Sequence, residues 1–183
     1  MEIILNYIIP ILICMDLFFL SITGGVTLQP YSWMNTLKIT VVLSASLIIS
    51  ALVGHLLAWS LYPLIEAFAS YAGYLLLAFL AVKMITDARK VKNVERTYLL
   101  EDAKILYAVA LAVLFNPILG FLGLGLLKIN LTTELLVIFG SAIIMSQIGL
   151  FLGSHYQPMR LGRYSKFGAG VLLLLLLILN YFI

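Results

Sequence analysis

Asp16 is where a chemical reading of this sequence starts, because it interrupts an apolar run, residues 3 to 23, that holds no other Asp, Glu, Lys or Arg. A carboxylate in such surroundings is costly in lipid and is normally offset by a partner, a bound cation, a proton or a water-filled cavity. No Lys or Arg falls at a comparable depth in the other apolar runs, so a transported cation or a proton is the expected counter-charge. Neutral oxygens are offered by the fourth apolar run, where Asn116 stands at the equivalent depth and is followed by Pro117. Proline has no N–H, so the carbonyl of Val113 loses its helical donor, and the ring disfavours helical geometry at Asn116. The helix is expected to kink or break there and to expose carbonyl oxygens of the kind that bind ions in transporters. Asp16, Asn116 and Val113 are therefore the candidate metal ligands. Ala108, Ala112, Asn116 and Gly120 recur every fourth residue, a small-residue stripe that lets another helix approach, with helix one the expected neighbour.

Other polar residues read more plainly. Ser46, Ser50 and Gly54 on helix two, and Ser141, Gly149 and Gly153 on helix five with Gln147 on another face, suit contacts and hydrogen bonds between helices. Met15 and Met145 are thioether donors for a soft metal, although methionine in an apolar helix is ordinarily filler. Cys14, the single cysteine, stands about 200° around the helix from Asp16 and is poorly placed to share an ion with it. His55 and His155 fall at opposite ends of their helices, too far apart for one site, and read as interfacial polar residues.

The elements that must carry these residues follow from composition. Of 183 residues, 63% are hydrophobic and 10% are charged, with a mean hydropathy of +1.14. A soluble surface needs about a quarter of its residues charged, so the solvent is mostly lipid. Runs near 3–23, 36–58, 64–85, 104–127, 133–153 and 165–183 are each long enough to span a bilayer. The expected fold is all-α, a polytopic membrane protein of six transmembrane helices in two inverted three-helix repeats, with residues 1–86 as the first repeat, 87–103 as a charged cytoplasmic connector and 104–183 as the second. An N-terminus outside gathers Lys38, Lys83, Arg89, Lys90, Lys92, Arg96, Lys104, Arg160, Arg163 and Lys166 on the cytoplasmic side and leaves Lys128 outside. Six spans then put both termini outside an inner, plasma membrane. Basic residues flank apolar runs, so orientation rather than nucleic acid explains the net charge of +3. At a shift of 100 residues Asp16 meets Asn116 and His55 meets His155, which reads as a decayed duplication.

In its residues the chain resembles the manganese efflux pump family (MntP-like), a branch of the LysE-type exporter superfamily. The resemblance rests on Met15-Asp16, Ser21 and Gly25-Val26-Thr27-Leu28 in helix one, Lys83-Met84-Ile85 ending helix three, and Ile144-Met145-Ser146 with Gly149 and Gly153 in helix five. It implies that helix four usually carries a second aspartate, at the place of Asn116, and that an acid in helix two falls at Leu47. Replacing Asp by Asn keeps an oxygen ligand but removes a charge and a proton acceptor. What the resemblance implies is export of a divalent cation, most readily manganese, through a midplane site centred on Asp16. Asn116 and the Val113 carbonyl would add neutral oxygens, and Ser21, Gly25, Pro117 and Gly120 would shape the site. The expected partners are the cation, exchanging protons at Asp16, and the bilayer; no cofactor and no catalysis are expected. Two other readings stay open: export of a monovalent cation or small organic solute, and a non-transporting protein that kept the fold.

Overall fold

A computed structural model describes residues 4–28, 32–90, 102–156 and 159–182, and among these there is no β-strand. A π-helical turn, Ile4–Ile8, leads into α1 (Ile9–Gly25); α2 (Trp33–Ile65) and α3 (Ala69–Lys90) are separated by a 3-10 turn at Glu66–Phe68; α4 (Ala103–Leu126), α5 (Leu131–Tyr156) and α6 (Met159–Phe182) follow. Local sequence sets several ends. Pro10 sits in the first turn of α1, where a missing N–H costs nothing. The Asp102 side chain accepts from the Lys104 N–H at 2.9 Å and caps α4. Asn130 does the same for the Thr132 N–H ahead of α5, after Lys128 turns the chain at φ 58°. Most of the charged connector, residues 91–101, lies outside the described residues.

Five stretches are long and apolar enough to cross a membrane: Leu5–Gly25, Trp33–Arg89, Lys104–Leu126, Leu131–Tyr156 and Gly162–Asn180. The second has 57 residues and contains both α2 and α3. The chain reverses inside it. Along α2, Ser50, Gly54 and Ala58 meet Leu114, Phe121 and Gly125 of α4 in rising order, whereas along α3 Gly73 and then Leu80 meet Gly123 and then Gly120. α2 therefore runs parallel to α4 and α3 runs antiparallel to it.

The same reasoning orients the other helices. Cys14, Ser21 and Gly25 of α1 meet Ser141, Ser146 and Leu150 of α5, so these two are parallel. α6 is antiparallel to α1, with Gly162 against Phe19 and Lys166 against Asp16, and antiparallel to α3, with Gly170 against Ala81 and Asn180 against Tyr74. α2 is antiparallel to α5, with Thr40 against Ser146 and His55 against Glu134. Each helix thus runs opposite to its predecessor in the chain.

Glycine permits the close approach of α1 and α5. A Cβ on Gly25 would lie 2.5 Å from the Leu150 carbonyl oxygen, and one on Gly153 would strike the Ile22 carbonyl. The shared core is apolar, with Leu17, Leu43, Leu47, Leu77 and Phe121 fully buried, while Trp33, Val41, Trp59, Leu75, Phe115 and Leu136 face outward. An exposed apolar surface of this extent fits lipid rather than water. Trp33 and Trp59 lie near the two ends of the 33-residue α2, about 39 Å apart along its axis, close to the roughly 40 Å between the two interfacial layers where tryptophan concentrates.

Candidate functional site

Asp16 lies in the middle of α1, buried, and two other helices bring groups to it. From α4, the side-chain amide of Asn116 donates to Oδ2 at 3.3 Å. From α6, the ammonium of Lys166 stands 2.9 Å from Oδ1. Lys166 is itself buried, and its nitrogen is 5.6 Å from the centre of the Phe19 ring on α1. The expected meeting of Asp16 with Asn116 therefore takes place.

The expectation that no basic residue reaches this depth is corrected. Lys166 stands at the margin of the sixth apolar run, but α6 begins at Met159, several residues earlier than hydropathy alone implied, which places Lys166 two turns inside the helix. A lysine stem of four methylenes carries its charge from the helix end into the bundle, the reverse of the usual snorkel toward water. The contact is of charge with charge: among the described residues Oδ1 completes no hydrogen bond of good geometry and keeps acceptor capacity.

The expected break at Pro117 is also corrected. α4 is helical from Ala103 to Leu126 without interruption. Val113 belongs to this unbroken helix, and the hydroxyl of Ser50 on α2 donates to the neighbouring Leu114 carbonyl at 3.4 Å. The small-residue stripe of α4 is only partly used. Gly120 is pressed between Ile13 of α1 and Leu80 of α3, whereas Ala108 and Ala112 are exposed and the main partner of α4 is α2.

Ser21 belongs to a second polar group, just over one turn along α1 from Asp16. Its hydroxyl donates to Ser146 Oγ at 3.3 Å, Ser146 meets Thr40 Oγ1 at 3.2 Å, and Gln147 donates to Thr40 at 3.0 Å. Three helices, α1, α2 and α5, are thereby joined through buried hydroxyls. On the other side of Asp16, Ser141 donates to Cys14 Sγ at 3.2 Å. Gly25 serves the α1–α5 contact and not the carboxylate. His55 and His155 have different surroundings: His155 stacks on Phe151 and meets Ser154, whereas His55 faces Glu134. Among the described residues no three His, Cys, Asp or Glu side chains converge, so a cation at Asp16 would depend on amide, hydroxyl and carbonyl oxygens.

Residues 30–179 match the family profile described as "Putative manganese efflux pump". Similar curated proteins include "Putative manganese efflux pump MntP" of Bacteroides thetaiotaomicron, 26% identical over 151 residues that cover 80% of this chain and 78% of the relative. The protein of the same name from Citrobacter koseri is 26% identical over 166 residues, covering 87% and 86%. "Probable manganese efflux pump MntP" of Salmonella paratyphi B is 28% identical over the same length, with the same coverage. No solved structure gives a significant match. The profile spans most of the sequence, and the chain belongs to the manganese efflux pump family.

Proposed function

We propose that this protein exports a divalent cation, manganese first, across the inner membrane through a site centred on Asp16. The observation that carries the reading is the buried Asp16 carboxylate, contacted at once from α4 by Asn116 and from α6 by Lys166, in a chain whose relatives are named as manganese efflux pumps. Lys166 is a tethered counter-ion. When no cation is bound, its ammonium neutralises Asp16 and spares the bundle an unpaired buried charge. An arriving cation takes the carboxylate, with the Asn116 amide oxygen after rotation of that side chain and the Val113 carbonyl as neutral ligands, and the ammonium withdraws toward the face of Phe19. Ser21, Gly25, Pro117 and Gly120 hold the helices at the spacing this requires. Protons exchange at Asp16 when the cation leaves.

Six spans in two inverted repeats suit this mechanism. Support comes from the strictly alternating helix directions and from helix pairing, since α1 with α5 and α4 with α2 are the two most extensive contacts and exchange under a two-fold that swaps the halves. The excess of Lys and Arg at one end favours both termini outside.

A second reading has one specific observation in its favour. A carboxylate and an ammonium side by side also complement a small zwitterionic solute. Expression in a manganese-sensitive, efflux-deficient host separates the two. Restored tolerance that Asp16→Asn abolishes is the expected result; tolerance indifferent to Asp16, or flux of an amino acid without flux of manganese in proteoliposomes, overturns the metal reading.

A further inference from the structure

Glu134 in the first turn of α5 is fully buried, and among the described residues neither of its carboxylate oxygens has a hydrogen-bond partner. The group set against it is His55 of α2, whose Nε2 lies 3.2 Å from Oε2. The other ring nitrogen, Nδ1, is 3.3 Å from the Ala51 carbonyl. A carbonyl only accepts, so Nδ1 carries the hydrogen, and Nε2 of the neutral ring presents a bare lone pair to the carboxylate. At this distance the two atoms need either a proton or a cation between them, and the contact fits both a hydrogen bond and a shared metal ion.

The spacing suits a metal ion. Two ligands at right angles on an ion with bonds of about 2.2 Å stand about 3.1 Å apart. An imidazole nitrogen with a carboxylate oxygen is the donor set of a borderline divalent transition-metal ion, whereas calcium and magnesium prefer oxygen throughout. The basic side chain in the connection between α4 and α5, Lys128, is turned onto the ring of Tyr62, 4.2 Å from its centre, and makes no ion pair with Glu134 among the described residues.

We propose that His55 and Glu134 form a second divalent-cation site, separate from Asp16. Seven residues of α5 separate Glu134 from Ser141, which marks the level just beside Asp16 through Cys14, so the two sites stand about 11 Å apart along the bundle. Resting on the orientation given under Proposed function, His55 and Glu134 sit at the outer end, where an ion released from Asp16 would next be held.

Manganese(II) itself is the probe, added to the purified protein in detergent and read by electron paramagnetic resonance with detection of nitrogen couplings. The proposal expects bound manganese with an imidazole nitrogen coupling in the wild type and in Asp16→Asn. The coupling is retained in His155→Gln and lost in His55→Gln, and Glu134→Gln lowers the number of ions bound by one. Absence of an imidazole coupling in both wild type and Asp16→Asn, which needs no change at the site itself, overturns it, and so does a coupling that survives His55→Gln or vanishes in His155→Gln. Loss of transport in Asp16→Asn leaves this result untouched, so the two sites are tested apart.

Discussion

The Lys166 ammonium lies 2.9 Å from the Asp16 carboxylate, from a helix that runs opposite to α1, and both side chains are buried. Removing one partner of such a pair leaves an uncompensated charge and costs about 3–5 kcal/mol, whereas replacing both with apolar or neutral groups is close to neutral. Lys166→Met is therefore expected to lower the melting temperature in detergent without metal, and Asp16→Asn with Lys166→Met to recover most of the loss. If Lys166 is the internal competitor for the cation, Lys166→Met also binds manganese more tightly than the wild type and is stabilised more by it. Melting curves of the four proteins of this cycle, with and without manganese, measure both effects; a weaker metal response in Lys166→Met would remove the lysine from the competing role.

Asn116 supplies the second expectation. Its amide donates to Asp16 Oδ2 at 3.3 Å, so an aspartate there would place a second carboxylate beside the first. Without metal, the like charges raise the cost of the buried site. With a divalent cation present they bind it together, and affinity should rise tenfold or more, about 1.4 kcal/mol. Titration of Asn116→Asp with manganese measures this, and an unchanged affinity would show that Asn116 is not near the ion.

Much of this arrangement was legible in the sequence because lipid makes polarity conspicuous. Asp16 stands out in its apolar run, and the pairing with Asn116 followed from their equivalent depth, whereas the small-residue stripe of α4 pointed to helix one and α4 packs mainly on α2. Lys166 was hidden by its position at a helix boundary, where a few residues decide whether a long side chain points to water or to the core. Glu134 was hidden in the same way: in the first turn of α5 it reads as an acid at a helix N-terminus, and only the packing of α2 against α5 shows that it is closed off from solvent. Pro117 pointed to a kink or break, and of these the break does not occur, since a helix can carry a proline in its interior at the loss of one hydrogen bond.

Ser146 joins α1 to α2 through Ser21 and Thr40. Hydrogen bonds between membrane helices contribute on average about 0.6 kcal/mol, so Ser146→Ala should cost roughly 1 kcal/mol and leave manganese binding intact. Equilibrium unfolding in mixed micelles would show it. A much larger loss, or loss of binding, would mean that the hydroxyl cluster belongs to the ion path.

The glycines give a test of helix packing that is independent of any ion. Gly153 of α5 lies against the backbone of Ile22 and Gly25, and Gly25 in turn against Leu150 and Gly153, so a methyl group at either position meets main chain that cannot yield without parting the helices. Gly153→Ala and Gly25→Ala are expected to destabilise by several kcal/mol or to prevent folding, since overpacking at a backbone contact forces whole elements to move. At Gly140 of α5 and Gly168 of α6, an alanine methyl would find nothing within 4 Å among the described residues. Alanine there removes backbone entropy from the unfolded chain and improves helix propensity by up to about 1 kcal/mol. Thermal melts of the four single variants should therefore separate into two groups, with Gly140→Ala and Gly168→Ala at or above the wild-type temperature. If all four behaved alike, the close parallel contact of α1 with α5 would be wrong.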